Sequence, residues 1–337
     1  MLKKIAVLML TTLINFSGYS QNTSLRALDP QLKDYVYPYS VYFLPLHIQG
    51  QTLQMAYMDV QPTSYNGKNV VLLHGKNFNG AYWKTTIEDL VKEGYRVVVP
   101  DQIGFGKSSK PESFQYSFHQ LAANTKAVLD TLRIKKATIV GHSMGGMLAT
   151  RFALMYPDIT EKLVLENPIG LEDYKVVVPY TPVSANYQNE LKATYESLKE
   201  YQLKFYYDNK WKPDYDEWLN LLAGWTLHRE YPLIAWNNAL TSDMIFTQPV
   251  VYEFSKLKVP TLLIIGTRDR TAIGKAIAPP DIQHTMGLYN ELGKKTQRKI
   301  PGSVLVELEN VGHMPHIEVF DRFIGPLKSF LADKSIK

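Results

Sequence analysis

Val70-Val71-Leu72-Leu73 is apolar without a break, and it is one of a series. Tyr95 to Pro100, Ala137 to Val140 and Lys162 to Leu165 are short, largely apolar runs of the same kind. Stretches with helical spacing separate them, at about 81–93 and 117–132 and again from Met147 to Tyr156. A strand with apolar residues at every position has both faces covered, and strands linked by crossover helices run parallel. The fold class expected is therefore α/β, with a mostly parallel central sheet flanked by helices. Two bursts of alternating residues precede it, Val41–Ile48 and Leu53–Val60, with Gly50-Gln51 between them. They predict an antiparallel hairpin at a sheet edge.

The alternation stops after residue 167. From 168 to 249 no buried strand is legible; helical stretches at 189–207 and 214–225 carry many Tyr, Trp and Phe residues. The strand pattern resumes at Thr261–Gly266 and Val304–Leu308, and a helix near 318–331 closes the chain. The expected organisation is a core of 21–167 and 250–337 interrupted by a helical insertion at 168–249. The stretch 272–301 reads as an extra excursion with no assigned role.

Lys3 and Lys4, the apolar run Ile5–Phe16, and Gly18-Tyr19-Ser20 describe an export signal cleaved near Ser20–Gln21. The run is shorter than the roughly 20 apolar residues that span a bilayer. We therefore expect a periplasmic or secreted protein with no stable membrane anchor after cleavage. The chain has no cysteine, which removes disulfides, thiol catalysis and lipid attachment through an N-terminal cysteine. The net charge is +5 and the basic residues are dispersed. The cluster Lys294, Lys295, Arg298, Lys299 has no interleaved aromatics, so nucleic acid is not an expected partner. A small-molecule substrate is, and nothing in the sequence sets the oligomeric state.

Gly141-His142-Ser143-Met144-Gly145-Gly146 follows one apolar run and opens a helix. A serine there stands on a sharp strand-to-helix turn that exposes its hydroxyl, and the small neighbours let strand and helix approach. His74-Gly75-Lys76-Asn77-Phe78 ends another run. In acyl transfer its backbone N–H groups, Lys76 or Asn77, would join that of Met144 to hold a developing oxyanion. His74 is expected to hold the loop, and the Lys76 ammonium either meets an anionic substrate or reaches solvent. In Asn310-Val311-Gly312-His313-Met314-Pro315-His316, after the last strand, His313 is the candidate general base and His316 a surface or supporting residue. Asp269, in Gly266-Thr267-Arg268-Asp269-Arg270, is the candidate acid that orients the imidazole; its alternative is an ion pair with a flanking arginine. Glu166, at the end of the run 162–166, is the alternative acid.

The order Ser143, Asp269, His313 resembles that of the α/β-hydrolases, as do Asp101–Pro111 and Gly312–His316. The resemblance covers about residues 40–332 apart from the insertion, which it implies is a helical lid. It also implies an acyl-enzyme mechanism without metal or organic cofactor. Ser143 departs from the aspartate nucleophile of the family's haloalkane dehalogenases and epoxide hydrolases. An ester-like or amide bond is the expected target, in a small apolar or aromatic substrate, with Phe78, Trp83 and Phe105 near the pocket. Serine-dependent carbon–carbon hydrolysis, cofactor-free perhydrolysis and a non-enzymatic binding role are the alternatives.

Overall fold

The computed structural model describes residues 24–333, so the expected export signal lies outside the described residues. Eight strands form one sheet in the order β1-β2-β4-β3-β5-β6-β7-β8. They are β1 (Val41–Ile48), β2 (Gln51–Val60), β3 (Asn69–Leu73), β4 (Arg96–Pro100), β5 (Ala137–His142), β6 (Thr160–Glu166), β7 (Thr261–Gly266) and β8 (Val304–Leu308). β1 pairs antiparallel with β2, and β2 with β4; every other pairing is parallel. The edge hairpin turns at Gln49-Gly50, one residue earlier than its sequence suggests. Both residues have positive φ, 48° and 73°, the geometry that two-residue hairpin turns require.

The unbroken apolar runs are explained by the two cores they serve. Val70, Leu72, Val97, Val99, Val140, Val164, Leu262 and Ile264 point to one, with Ile87 and Leu90 of α1 (Lys84–Lys92) and Phe323 and Leu327 of the last helix. Val71, Leu73, Val98, Ile139, Leu163, Leu165, Leu263 and Ile265 point to the other, with α2 (Phe118–Thr131) and α3 (Met144–Met155). Each such side chain removed from water contributes about 1.5–3 kcal/mol. α2 begins where Ser117 accepts a hydrogen bond from the Gln120 N–H at 3.0 Å.

Between β6 and β7 lie α4 (Val183–Glu190), α5 (Tyr195–Phe205), α6 (Asp216–Thr226) and α7 (Tyr231–Thr247), with no strand. Residues 28–37 cross this insertion before the first strand. The Leu28 N–H donates to Gly224 O of α6 at 3.0 Å, Trp225 Nε1 to Asp29 O at 3.1 Å, and Tyr35 Oη to Glu217 at 2.6 Å. On the core side Tyr37 Oη donates to Asp101 at 2.7 Å, and Lys107 Nζ donates to Leu32 O.

The supposed excursion at 272–301 is largely a connection. After the short α8 (Pro280–Gln283), α9 (Tyr289–Lys299) crosses from β7 to β8 and buries Tyr289, Leu292, Gly293 and Thr296. α10 (Pro315–Glu318) and α11 (Phe320–Ala332) complete the chain.

Candidate active site

Ser143 sits between β5 and α3 at φ 56° and ψ −121°. A non-glycine residue held there stores about 1–3 kcal/mol of strain, so its surroundings must fix it. They do: its N–H donates to Glu166 O at 3.2 Å, and its carbonyl accepts from Gly146 at 2.9 Å and Ile169 at 3.2 Å. Gly145 passes so close to β3 that a Cβ there would strike the Leu73 carbonyl, and one on Gly141 would strike that of Gly145. Only glycine lets the turn be this tight. Met144 is the first residue of α3, so its N–H has no partner within the helix.

The turn brings the Ser143 hydroxyl to His313. Oγ lies 3.0 Å from His313 Nε2, and His313 Nδ1 lies 2.6 Å from Asp269 Oδ2. A carboxylate only accepts, so Nδ1 carries the ring proton and Nε2 offers its lone pair to the serine. Ser143 is 6 % exposed, His313 1 % and Asp269 0 %, so the three groups are shielded from water. Both oxygens of Asp269 are engaged: Oδ2 also accepts from Asn167 Nδ2 at 2.8 Å, and Oδ1 from the Thr271 N–H at 2.8 Å. Its flanking arginines turn away. Arg268 pairs with Glu318, and Arg270 donates to the carbonyls of Thr267 and Asp269.

Asn167 was not singled out from the sequence. Besides Asp269, its amide donates to Gly312 O at 3.2 Å and accepts from the Gly266 N–H at 2.8 Å. It thereby ties together the ends of β6 and β7 and the His313 loop. The only sequence hint is its place immediately after a strand and before Pro168.

The 74–77 loop lies directly over Ser143: a Cβ on Gly75 would be 3.0 Å from Ser143 Cβ. His74 holds this loop. Its Nδ1 donates to Gly75 O at 2.9 Å and its Nε2 accepts from the Gln102 N–H at 3.0 Å; burial pushes its pKa down, which favours this neutral form. The Gly75 N–H is taken by Tyr82 Oη at 2.9 Å. The N–H groups of Lys76 and Asn77 have no acceptor among the described residues, and Asn77 adopts φ 71°. The Lys76 ammonium is neither free in solvent nor left at an open anion site; it pairs with Glu190 of α4 at 3.3 Å, in a partly buried contact.

Glu166 lies beside the site but serves a different imidazole. Its Oε1 accepts from both Nδ1 and the backbone N–H of His316, at 2.8 and 2.9 Å. His316 is thus a buried residue rather than a surface one. Trp83 is also fully buried, stacked on His316 at 4.3 Å and near Phe323 of α11, so its ring belongs to the core. Phe105 packs edge-on against His74 at 5.2 Å. Phe78 stacks on Tyr82 at 5.0 Å and lies 6.4 Å from Tyr206, whose ring stacks on His313 at 4.9 Å. The insertion therefore reaches the His313 ring through Tyr206, at the end of α5. Gly312 is shaped by the same contact: a Cβ there would run into the Tyr206 carbonyl. Among the described residues, no group of His, Asp or Glu is arranged to hold a metal, and no helix is long and apolar enough to cross a membrane.

Residues 68–318 match the family model for the alpha/beta hydrolase fold. The chain is 28 % identical over 281 residues to the 2-hydroxy-6-oxononadienedioate/2-hydroxy-6-oxononatrienedioate hydrolase of Comamonas testosteroni, covering 79 % of this chain and 88 % of that protein. Among solved structures, a "probable hydrolytic enzyme" from Pseudomonas aeruginosa PAO1 superposes with a TM-score of 0.91 at 48 % identity, over 92 % of this chain and 99 % of that one. An esterase from Exiguobacterium antarcticum shares the fold, with a TM-score of 0.66 at 22 % identity over 84 % of this chain and 97 % of that one.

Proposed function

Because the chain belongs to the α/β-hydrolase fold family, we propose that it is a serine hydrolase in which Ser143 is the nucleophile, His313 the general base and Asp269 the acid that orients it. The observation that carries this reading is the pair of contacts made by one imidazole, 3.0 Å to the serine oxygen and 2.6 Å to the carboxylate. Ser143 Oγ attacks a substrate carbonyl carbon while its proton passes to His313 Nε2. Asp269 stabilises the imidazolium that results. The oxyanion is held by the N–H of Met144 and that of Lys76 or Asn77, each such donor worth about 3 kcal/mol of barrier. Collapse of the tetrahedral species expels the leaving group with the proton from His313 and leaves an acyl ester on Ser143. Water then attacks that ester, giving its proton to His313, and a second collapse releases the acid and restores the serine.

The bond cleaved is ester-like, in a small apolar or aromatic substrate. The stacked Tyr206 above His313 and the aromatic insertion, acting as a lid, support that choice. Carbon–carbon hydrolysis is the second reading, supported by the similarity to the Comamonas hydrolase. A fluorophosphonate tests the nucleophile: stoichiometric labelling of wild type, absent in Ser143→Ala, is expected, and an unlabelled Ser143 would end the proposal. A panel of p-nitrophenyl esters beside a vinylogous 1,5-diketone separates the two bond types. Turnover of the diketone alone would overturn the ester reading. Export with cleavage near Ser20–Gln21 belongs to the same proposal, and N-terminal sequencing of the protein recovered outside the cytoplasm checks it.

A further inference from the structure

The two loops that must meet Ser143 in register come from opposite ends of the chain. One follows β3 and supplies Lys76 and Asn77; the other follows β8 and supplies His313. A single buried hydrogen-bond chain joins them. The Gly75 N–H donates to Tyr82 Oη at 2.9 Å, Tyr82 Oη lies 3.0 Å from His142 Nδ1, and His142 Nε2 lies 2.7 Å from the His313 carbonyl oxygen. The direction of every bond follows from one fact. The His313 carbonyl can only accept, so Nε2 of His142 must carry the proton. In the neutral ring Nδ1 is then an acceptor, and Tyr82 must aim its hydroxyl proton at it. That leaves the phenolic oxygen to accept from Gly75, as the geometry has it.

We propose that Tyr82 and His142 are positioning residues for the reaction: a proton-ordered relay that locks the oxyanion loop to the carbonyl of the base. The proposal rests on the serine-hydrolase reading above. The relay also engages the Gly75 N–H, leaving those of Lys76 and Asn77 for the oxyanion. The titratable groups facing His142 are Tyr82, His313, His316 and His74. Burial, followed by the His313 and His316 rings, pushes the pKa of His142 well below the ordinary imidazole value. Burial likewise drives that of Tyr82 up. Both groups therefore stay neutral in the arrangement the relay needs.

The relay is tested on the wild-type protein first. Nitrogen-15 NMR of the histidine rings should show His142 as the neutral Nε2–H tautomer, unchanged between about pH 5 and 8. A His142 that titrates in that window, or carries its proton on Nδ1, overturns the proposal without bearing on Ser143. Tyr82→Phe keeps the ring stacked and removes the hydroxyl. It should lower kcat about tenfold with KM changed less than about twofold, because the donors and the base meet the transition state rather than the ground state. His142→Gln keeps a donor for the His313 carbonyl and should lose less than His142→Phe, which removes both partners. The Tyr82→Phe, His142→Phe double variant should be no slower than His142→Phe alone. A lower melting temperature with kcat unchanged, or additive losses, would reduce the pair to packing and overturn the relay. Absence of fluorophosphonate labelling in the wild type would instead strike the nucleophile, and with it any base to position, while the tautomer result would stand.

Discussion

Two carboxylate–imidazole pairs lie at the carboxyl edge of the sheet: Asp269, beyond β7, and Glu166, at the end of β6, each hold a histidine from the segment after β8, His313 and His316. Their contacts are alike in length, 2.6 and 2.8 Å, and all four side chains are buried. What differs is the other nitrogen of each ring. That of His313 meets the Ser143 hydroxyl; that of His316 meets no partner among the described residues and lies under Trp83. The acids differ too. Both oxygens of Asp269 are engaged by donors from Asn167, Thr271 and His313, whereas Glu166 Oε2 has no partner among the described residues. A buried acid beside an imidazole is thus no sufficient mark of chemistry. In the proposed mechanism the third group, together with the donors on both oxygens of the acid, sets one pair to work and leaves the other to anchor the loop, which Glu166 also grips through the His316 N–H.

Substitutions can break this distinction. Ser143→Ala and His313→Ala should each reduce ester hydrolysis about ten-thousandfold to a millionfold, read as kcat on a p-nitrophenyl ester. Asp269→Asn should follow at about ten-thousandfold, since the amide no longer fixes the productive tautomer. Glu166→Gln should leave kcat within about tenfold and instead lower stability by about 1–3 kcal/mol, measured by urea unfolding, because a buried donor–acceptor set is disturbed. If Glu166→Gln slowed hydrolysis as much as Asp269→Asn, the roles of the two acids would have to be exchanged. Lys76→Met should have the smallest effect. Its bond to Glu190 is partly exposed and worth at most about 1 kcal/mol, so kcat/KM should stay within about threefold. A larger loss would mean that the ammonium meets the substrate.

The central strands were legible because burial on two faces leaves unbroken apolar runs. The hairpin was legible to within a residue; the error lies at Gln49, whose positive φ no propensity announces. α9 was missed as a crossover because its buried face is narrow, Tyr289, Leu292, Gly293 and Thr296 on an otherwise charged helix. Ser143 directly follows β5, and Asp269 and His313 stand in the short loops after β7 and β8, each with a glycine close by, which is why their sequence surroundings mark them. Asn167 shows only its place after β6, with no sign of its partners, and the Glu166–His316 pair and the Tyr82–His142 link have no such mark. Each is a contact between residues some 60 to 150 positions apart, and no local pattern encodes it. Trp83 fails for the same reason: an aromatic residue near a candidate loop reads alike whether it faces a ligand or His316.

Residues 28–37 moor the insertion from outside the sheet, gripping α6 on one side and the Asp101 loop on the other. A shortened protein begun at Val41 would retain all eight strands yet cast off these five ties. Its roof would come adrift at one gable while the walls stood, so truncation at the fold's apparent start would be felt in the insertion before it was felt in the sheet. The proposed cleavage near Ser20–Gln21 would leave these five ties in place.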